Sequence, residues 1–204
     1  DVDESARPWP ARSGAVYDRP LFLQAQQGPK GGEYGVWMHT VMQHLPLEGR
    51  LNEEQVQSVV EELVVKEVLL PEQAAALEAS KIAAFLESAL GSRLLASSQV
   101  RREVPFSVLL PAEEFYPEVA GQEETVFVQG VADLLFKEGD AWILVDYKSD
   151  RGLSPAELAS RYRLQLELYA RALGGMLRQP VKECWLYSFA LGETILLEEA
   201  ARGN

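Results

Sequence analysis

Two aspartates and a lysine in the second half of the chain have the types and spacing needed to hold a divalent cation beside a fixed positive charge. Asp133 closes the motif Gly130-x-x-Asp133, and Asp146 is followed two residues later by Lys148. Hydrolysis of a phosphodiester uses a metal that polarises the phosphate and lowers the pKa of a water, with a cation near the developing charge. A structural Lys–Asp salt bridge beside a second carboxylate would use the same residue types, so spacing alone leaves both interpretations open.

A predicted hairpin would bring these side chains together. The pattern predicts a strand from Glu124 to Lys137, a turn at residues 138–140, and a short apolar strand from Ala141 to Lys148. Asp133 and Asp146 lie at comparable distances from that turn, so antiparallel pairing would place their carboxylates close to each other. A hard divalent cation would remove the repulsion between them. The lysine two positions after Asp146 would share its face of the strand.

A helix after the hairpin carries a second group of polar candidates. A Ser-Pro-x-Glu capping sequence predicts its start at Ser154, and we expect it to run to about Leu173 and to stop at Gly174-Gly175. Gln165 and Tyr169 are four residues apart and therefore neighbours on one face. Either both point at the strand ends and hold substrate or water, or Tyr169 belongs to the core and Gln165 to its polar edge.

The remaining pattern predicts an α/β fold, in which a central mixed β-sheet is flanked by helices and preceded by an N-terminal helical portion. Residues 1–32 are interpreted as a linker or lead-in, and 33–204 as one domain with a mostly helical part (33–98) and an α/β core (99–200). The other predicted elements are helices from Glu33 to Leu45 and from Glu53 to Lys66, and a helix or a pair of helices from Pro71 to about Leu90, which Gly91 should end. Strands are predicted from Val100 to Leu110, Val181 to Ala190 and Glu193 to Leu197.

Composition excludes several classes of protein. With 204 residues and 47% hydrophobic residues the chain can bury a core, yet no apolar run approaches the length of a membrane span. The single cysteine, Cys184, cannot form an intramolecular disulfide or ligate an iron–sulfur cluster, and it favours a cytoplasmic location. A net charge of −12 argues against a free-standing, tight nucleic-acid binder. Because the chain begins with Asp1, we interpret it as a piece of a longer protein.

The motifs around Asp133, Asp146 and Gln165, taken in chain order, resemble those of the RecB-type branch of the PD-(D/E)XK nuclease superfamily. They are most similar to the nuclease domains of AddA-type helicase–nuclease subunits. That branch has a histidine on an early helix, a glutamate before a Pro-Phe pair, Gly-x-x-Asp, Asp-Tyr-Lys and Gln-x-x-x-Tyr. The matching residues here are His39, Glu103, Asp133, Asp146, Tyr147, Lys148, Gln165 and Tyr169.

The resemblance implies a role for each of these residues. His39, Asp133, Asp146 and the backbone carbonyl of Tyr147 would ligate Mg²⁺, for which Mn²⁺ could substitute, and no iron–sulfur cluster is expected. Lys148 would position the attacking water or stabilise the transition state. The catalytic group would also include Glu103, near the metal, and Gln165 and Tyr169, which would contact the DNA strand or brace the site.

The first functional hypothesis is therefore a Mg²⁺-dependent exonuclease acting on single-stranded DNA. Helicase domains of the same parent chain would deliver the strand, beside an AddB-like partner subunit, during the processing of double-strand breaks for recombinational repair. The alternative is a docking or DNA-end-binding module in which cutting is incidental. A third hypothesis, an enzyme acting on small phosphate esters, is weakened because the sequence contains no P-loop. No membrane partner is expected.

Overall fold

The structure, a computed structural model, describes residues 31–47, 49, 51–114, 121 and 123–199. Most of the predicted lead-in (1–30) lies outside the described residues, while residues 31 and 32 belong to the first helix. The described elements are the helices α1 (Gly31–His44), α2 (Glu53–Val65), α3 (Pro71–Ala76), α4 (Ala79–Glu87), α5 (Ala89–Ala96) and α6 (Pro155–Leu177), and the strands β1 (Val100–Pro111), β2 (Thr125–Glu138), β3 (Ala141–Lys148), β4 (Val181–Ser188) and β5 (Glu193–Glu199).

One sheet organises the described part of the chain. Its strands lie in the order β1-β2-β3-β4-β5, and neighbouring strands are antiparallel except for the parallel pair β3 and β4. Parallel strands need a crossover connection, and α6 supplies it. Helices α1 to α5 pack against one face of this sheet and α6 against the other, in two separate apolar clusters. The predicted α/β fold with a mixed sheet and an N-terminal helical portion is confirmed.

The first two helices form where the sequence predicts them, and their apolar stripes explain why. Helix α2 starts at a capping box in which Asn52 and Gln55 each satisfy the other's backbone N–H. Its buried side chains, Val56, Val59, Val60 and Leu63, recur every three or four residues.

The prediction that Gly91 ends the helical run is wrong. Gly91 lies inside α5, which begins one residue after the N-cap Ser88 and continues to Ala96. A Cβ at this position would lie 2.2 Å from the carbonyl oxygen of Phe85 and 2.6 Å from that of Leu86. The glycine therefore permits the first turn of α5 to approach the last turn of α4, which is a packing requirement and not a stop signal.

Helix α6 also continues past its predicted end. It starts at the expected capping box of Ser154 and Glu157, but it extends through the two glycines to Leu177. Glycine costs only about 1 kcal/mol inside a helix, and the extra turn packs Leu177 against the α6-side cluster. The chain then turns at Arg178, which adopts a left-handed conformation with φ of 51°.

Strands β1 and β2 exchange faces together at one point. Arg102 and Leu134 are cross-strand partners on the side of α1, where Leu134 joins the helical cluster and Arg102 reaches the end of α1. Two residues further along β1, Val104 and its partner Ala132 belong to the α6-side cluster instead. Strict alternation would keep residues two apart on one face. The exchange takes place at Glu103, whose φ of 47° is left-handed, and at the facing part of β2.

No helix among the described residues is long and apolar enough to cross a membrane.

Candidate metal centre

An open cleft of about 1190 Å³ lies where α1, α6 and the strand pair β1–β2 meet. Its walls carry most of the polar residues that the sequence singles out, together with small and apolar neighbours. Those polar candidates are His39, Glu103, Asp133, Lys148, Gln165 and Tyr169. Asp146 lies behind them, with 3% of its surface exposed.

His39 of α1 connects two groups on neighbouring strands. Its Nε2 donates a hydrogen bond to the backbone carbonyl of Tyr147 at 3.1 Å, and its Nδ1 lies 3.4 Å from Oδ1 of Asp133. Burial alone would lower the pKa of the imidazole, but the attraction and hydrogen bond of Asp133 outweigh it and raise the pKa to about 9. Both ring nitrogens therefore face an oxygen, and a metal ion that binds the ring would take the place of a proton.

Asp133 lies at the point where the β2–β3 pairing ends. Leu134 pairs with Val145, which places Asp133 opposite Asp146 one step beyond the last pair. Its Oδ2 accepts the backbone N–H of Tyr147 at 2.7 Å, so a side chain replaces the next bond of the sheet. Burial would raise the pKa of Asp133, but the neighbouring His39 charge lowers it below its ordinary value. This carboxylate is ionised and available to a cation.

Glu103 reaches the same place from β1. Its left-handed backbone is uncommon for a residue with a side chain and costs about 1–2 kcal/mol. Burial, with a contribution from the charge of Asp133, raises the pKa of Glu103. One ligand atom from each of His39, Glu103 and Asp133 can be chosen so that all three lie within 4.8 Å of one another.

Asp146 and Lys148 form a buried ion pair beside this group. Nζ of Lys148 lies 2.6 Å from Oδ2 of Asp146, and the two side chains are 15% and 4% exposed. The contact lacks the geometry of a hydrogen bond, so Oδ2 is a buried oxygen without a hydrogen-bond partner. Burial is the main reason that the pKa of Asp146 rises to about 6, and the charge of Asp133 adds to it. The two aspartates are thus shifted in opposite directions.

This donor set fits a hard divalent cation. It combines one imidazole, two carboxylates at the cleft surface, an adjoining buried carboxylate paired with Lys148, and a backbone carbonyl. Oxygen ligands suit Mg²⁺, and a site that includes imidazole also suits Mn²⁺. A cation there would relieve the repulsion between carboxylates that raises the pKa of Asp146.

Gln165 and Tyr169 of α6 line the opposite wall of the cleft. The Tyr169 ring packs edge-on against Phe106 with centroids 4.6 Å apart. A Cβ on Gly130 would lie 2.7 Å from the Tyr169 hydroxyl oxygen, so the glycine of the Gly-x-x-Asp motif is the residue that lets this tyrosine approach β2. Tyr169 is both part of the packing and part of the cleft surface.

Two supporting residues were missed by the sequence analysis. Arg102 donates hydrogen bonds to the carbonyl oxygens of Gln43 and Leu45, and so ties the end of α1 to β1 beside Glu103. Tyr162 of α6 places its ring centroid 4.3 Å from Nζ of Lys148. Its hydroxyl donates to the carboxylate of Asp150. Arg102 is adjacent to a candidate in sequence, and Tyr162 lies one turn before Gln165, but neither position alone reveals the contact.

The mixed sheet between two helical layers, and an Asp-x-Lys pair on its third strand, define the class of protein. The model of the PD-(D/E)XK nuclease superfamily matches residues 11–198, and the chain belongs to that family.

The relatives make the likeness more specific. The chain is 50% identical over 177 residues to the AddA-type subunit of an ATP-dependent helicase/nuclease from Pelotomaculum thermopropionicum, covering 85% of this chain and 14% of the relative. Identity is 45% to the corresponding protein of Desulforamulus reducens, with coverage of 88% and 15%, and 39% to that of Bacillus licheniformis, with 92% and 16%. The chain therefore spans about one-seventh of the length of these relatives. The solved structure of SSO0001 overlaps 81% of this chain and 75% of its own at 14% identity, but its TM-score of 0.35 supports no argument.

Proposed function

We propose that this chain is a Mg²⁺-dependent nuclease domain that hydrolyses phosphodiester bonds of single-stranded DNA. One observation carries the proposal: in a member of this superfamily, His39, Glu103 and Asp133 converge in an open cleft next to the buried Asp146–Lys148 pair. The wide opening suits a polymer chain, and the opposite pKa shifts of the two aspartates are typical of sites that do chemistry.

Residues of three elements would hold the cation. His39, Asp133, Asp146 and the carbonyl of Tyr147 would be its ligands, with Glu103 close enough to contribute an oxygen. The bound metal would polarise the phosphate and lower the pKa of a water. Mn²⁺ would be able to replace Mg²⁺.

Lys148 would supply the fixed positive charge. Asp146 and Asp133 raise the pKa of its ammonium above the usual range despite burial, so it stays protonated at neutral pH. Its three N–H donors would orient the attacking water or stabilise charge on the phosphate oxygens. The ring of Tyr162 and the carboxylate of Asp146 limit the positions that the ammonium can take. Gln165 and Tyr169 would contact the strand from the opposite wall.

The relatives' names support a larger setting for this activity. We infer that the domain belongs to a cytoplasmic helicase–nuclease in which helicase domains of the same parent chain feed the strand and an AddB-like subunit completes the assembly. Exonucleolytic processing of double-strand breaks for recombinational repair would then be its task. Each of these relatives is named as one subunit of an ATP-dependent helicase/nuclease, which is the observation in favour.

The test is cleavage of end-labelled single-stranded DNA at low salt with Mg²⁺, comparing wild type, Asp146→Asn and Asp140→Asn. Asp140 lies exposed in the β2–β3 turn, so the same chemical change there is a matched control. We expect Asp146→Asn to lose at least about 100-fold in rate while Asp140→Asn cleaves like wild type, and EDTA should stop both active proteins. Unchanged cleavage by Asp146→Asn would exclude the proposed site, and absence of cleavage by wild type would favour the docking module.

A further inference from the structure

The far halves of β1 and β2 form a two-stranded ribbon that reaches beyond the rest of the sheet. Strand β3 pairs with β2 only from Leu134 to Glu138, whereas β1 pairs with β2 as far as the partners Pro111 and Thr125. The inward face of the ribbon packs on the α6-side cluster through Phe106, Val108 and Val128.

The outward face of this ribbon carries exposed apolar side chains at two of its cross-strand pairs, where an antiparallel sheet would ordinarily be polar. Leu109 and Phe127 are direct cross-strand partners, and they are 62% and 59% exposed. Val131, the partner of Pro105, is 44% exposed. A solvated sheet face normally carries polar side chains, and adjoining exposed apolar side chains such as Leu109 and Phe127 are typical of a contact surface.

This outward face continues the floor of the candidate metal centre. Val131, Gln129 and Phe127 follow one another at intervals of two along β2, which places them in one row that starts next to Asp133. Val131 and Gln129 line the cleft, as do their β1 partners Pro105 and Ser107. Phe127 is the next member of the row, about 20 Å along the strand from Asp133 at 3.4 Å per residue.

Few cationic side chains line the cleft. Lys148 is the one Lys or Arg among the described residues that line the cleft, where Glu103 and Asp133 add negative charge. The whole chain carries a net charge of −12. Proteins that hold single strands combine phosphate contacts with aromatic rings on which bases stack, and stacking is indifferent to the charge of the protein. Bases within a duplex are already stacked and cannot use such a ring.

We propose that Phe127, supported by its neighbour Leu109, stacks against a base of the single strand whose backbone runs along this row into the cleft. The assignment rests on the proposed nuclease function, since it names where that substrate is held. Gln129 and Ser107, the polar pair between Phe127 and the cleft, would contact the intervening sugar or phosphate groups.

The first test measures binding without cleavage. Fluorescence anisotropy of a labelled oligodeoxythymidine in EDTA at low salt compares wild type, Phe127→Ala, Phe127→Trp and Leu196→Ala. Leu196 is a control because it is 44% exposed on β5, at the opposite edge of the sheet. We expect Phe127→Ala to lose about 5- to 150-fold in affinity, with Phe127→Trp and Leu196→Ala close to wild type. Equal affinity of Phe127→Ala and wild type, or no binding by wild type, overturns the proposal.

The second test locates the stacked base. A set of oligonucleotides, each with one abasic position, should bind wild type more weakly at one defined position, and Phe127→Ala should be insensitive to that same change. If the outward face of the ribbon only contacts another protein, the affinity for DNA would not depend on the abasic position. That result would also overturn the proposal. Cleavage is scored separately, so a wild type that binds in this pattern but does not cut would contradict the nuclease function and leave the stacking assignment standing.

Discussion

Two clusters of charged residues in this domain contain similar groups but differ in the balance between cations and carboxylates. One is the candidate metal centre. The other, here called the Arg93 cluster, consists of Arg93, Glu138, Lys182 and Glu183 at the opposite end of the β2–β3 hairpin. The Arg93 guanidinium makes two hydrogen bonds to Glu138, at 3.0 and 2.9 Å, and two to Glu183, at 2.8 and 2.9 Å. Lys182 adds a further bond to Glu138.

The Arg93 cluster is balanced, with two cations and two carboxylates that meet in good geometry. Hydrogen bonds from Arg93 and Lys182 lower the pKa of Glu138 to about 2, and those from Arg93 lower the pKa of Glu183. Every shift favours the charged forms. The cluster therefore joins α5, the hairpin turn and β4 without needing another partner.

The candidate metal centre is not balanced in this way. Three carboxylates, those of Glu103, Asp133 and Asp146, face Lys148 and the titratable His39. The pKa of Asp133 is lowered, but those of Asp146 and Glu103 are raised, and one oxygen of Asp146 lacks a hydrogen-bond partner. The difference indicates that ion pairs alone do not distinguish a site. What distinguishes a functional site is a buried group of carboxylates whose mutual repulsion an additional cation would relieve.

The largest expected effect comes from breaking the Asp146–Lys148 pair. Lys148→Met should reduce cleavage by at least about 100-fold and the free energy of unfolding by about 3–5 kcal/mol, because Asp146 is left as an unpaired buried charge. The double variant Asp146→Asn with Lys148→Met should regain most of that stability but none of the activity. Chemical denaturation and strand cleavage measure the two properties.

The matched control for this variant is Lys182→Met, which removes a lysine from the exposed side of the Arg93 cluster. It should cost no more than about 1 kcal/mol and leave cleavage unchanged. If Lys148→Met proved as stable as Lys182→Met, the buried pair would not differ energetically from the exposed one.

Stabilisation by a bound metal should depend on the candidate metal centre and not on the Arg93 cluster. At a Mg²⁺ concentration of about 100 times Kd, a site absent from the unfolded chain adds about 2.7 kcal/mol, which raises the melting temperature by about 5–10 °C for a domain of this size. Asp133→Asn should abolish this increase, whereas Glu138→Gln should melt lower overall but retain it in full. Differential scanning fluorimetry with and without EDTA gives the shifts. A full Mg²⁺ shift in Asp133→Asn would place the cation elsewhere.

The sequence predicts the elements and the residues of the site better than it predicts their contacts. The hairpin around residues 138–140 and the start of α6 follow from local patterns and appear as expected. Gly91 and Gly174 resemble helix ends in the sequence but are not helix ends in the structure. Gly91 permits close packing of α4 and α5, and α6 continues through Gly174. Local propensity does not report how neighbouring elements pack.

The same limitation applies to the geometry of the site. The motif order identifies His39, Glu103 and Asp133, but nothing in the sequence shows that both strands exchange faces at Glu103, which turns these groups toward α1. Likewise, the bonds from Arg102 to the end of α1 join residues 57 and 59 positions apart. The residue types are local information, whereas their meeting point depends on the packing of α1 against the sheet.

The smallest expected effect is the loss, in acid, of the stability that the Arg93 cluster contributes. It is measured as the difference in melting temperature between wild type and Arg93→Met. A carboxylate whose pKa is lowered by folding stabilises the protein above its unfolded pKa, and that contribution is lost as the pH falls through the folded value. For Glu138 these limits are 4.5 and about 2. The difference in melting temperature between wild type and Arg93→Met should therefore stay constant from pH 7 to about pH 5 and then shrink toward pH 2. Because the Glu138 side chain is 41% exposed, added salt should reduce it further. Cleavage at neutral pH should be unaffected. A difference that instead grew on acidification, or a loss of cleavage in Arg93→Met, would show that this cluster communicates with the candidate metal centre and is not an independent structural clamp.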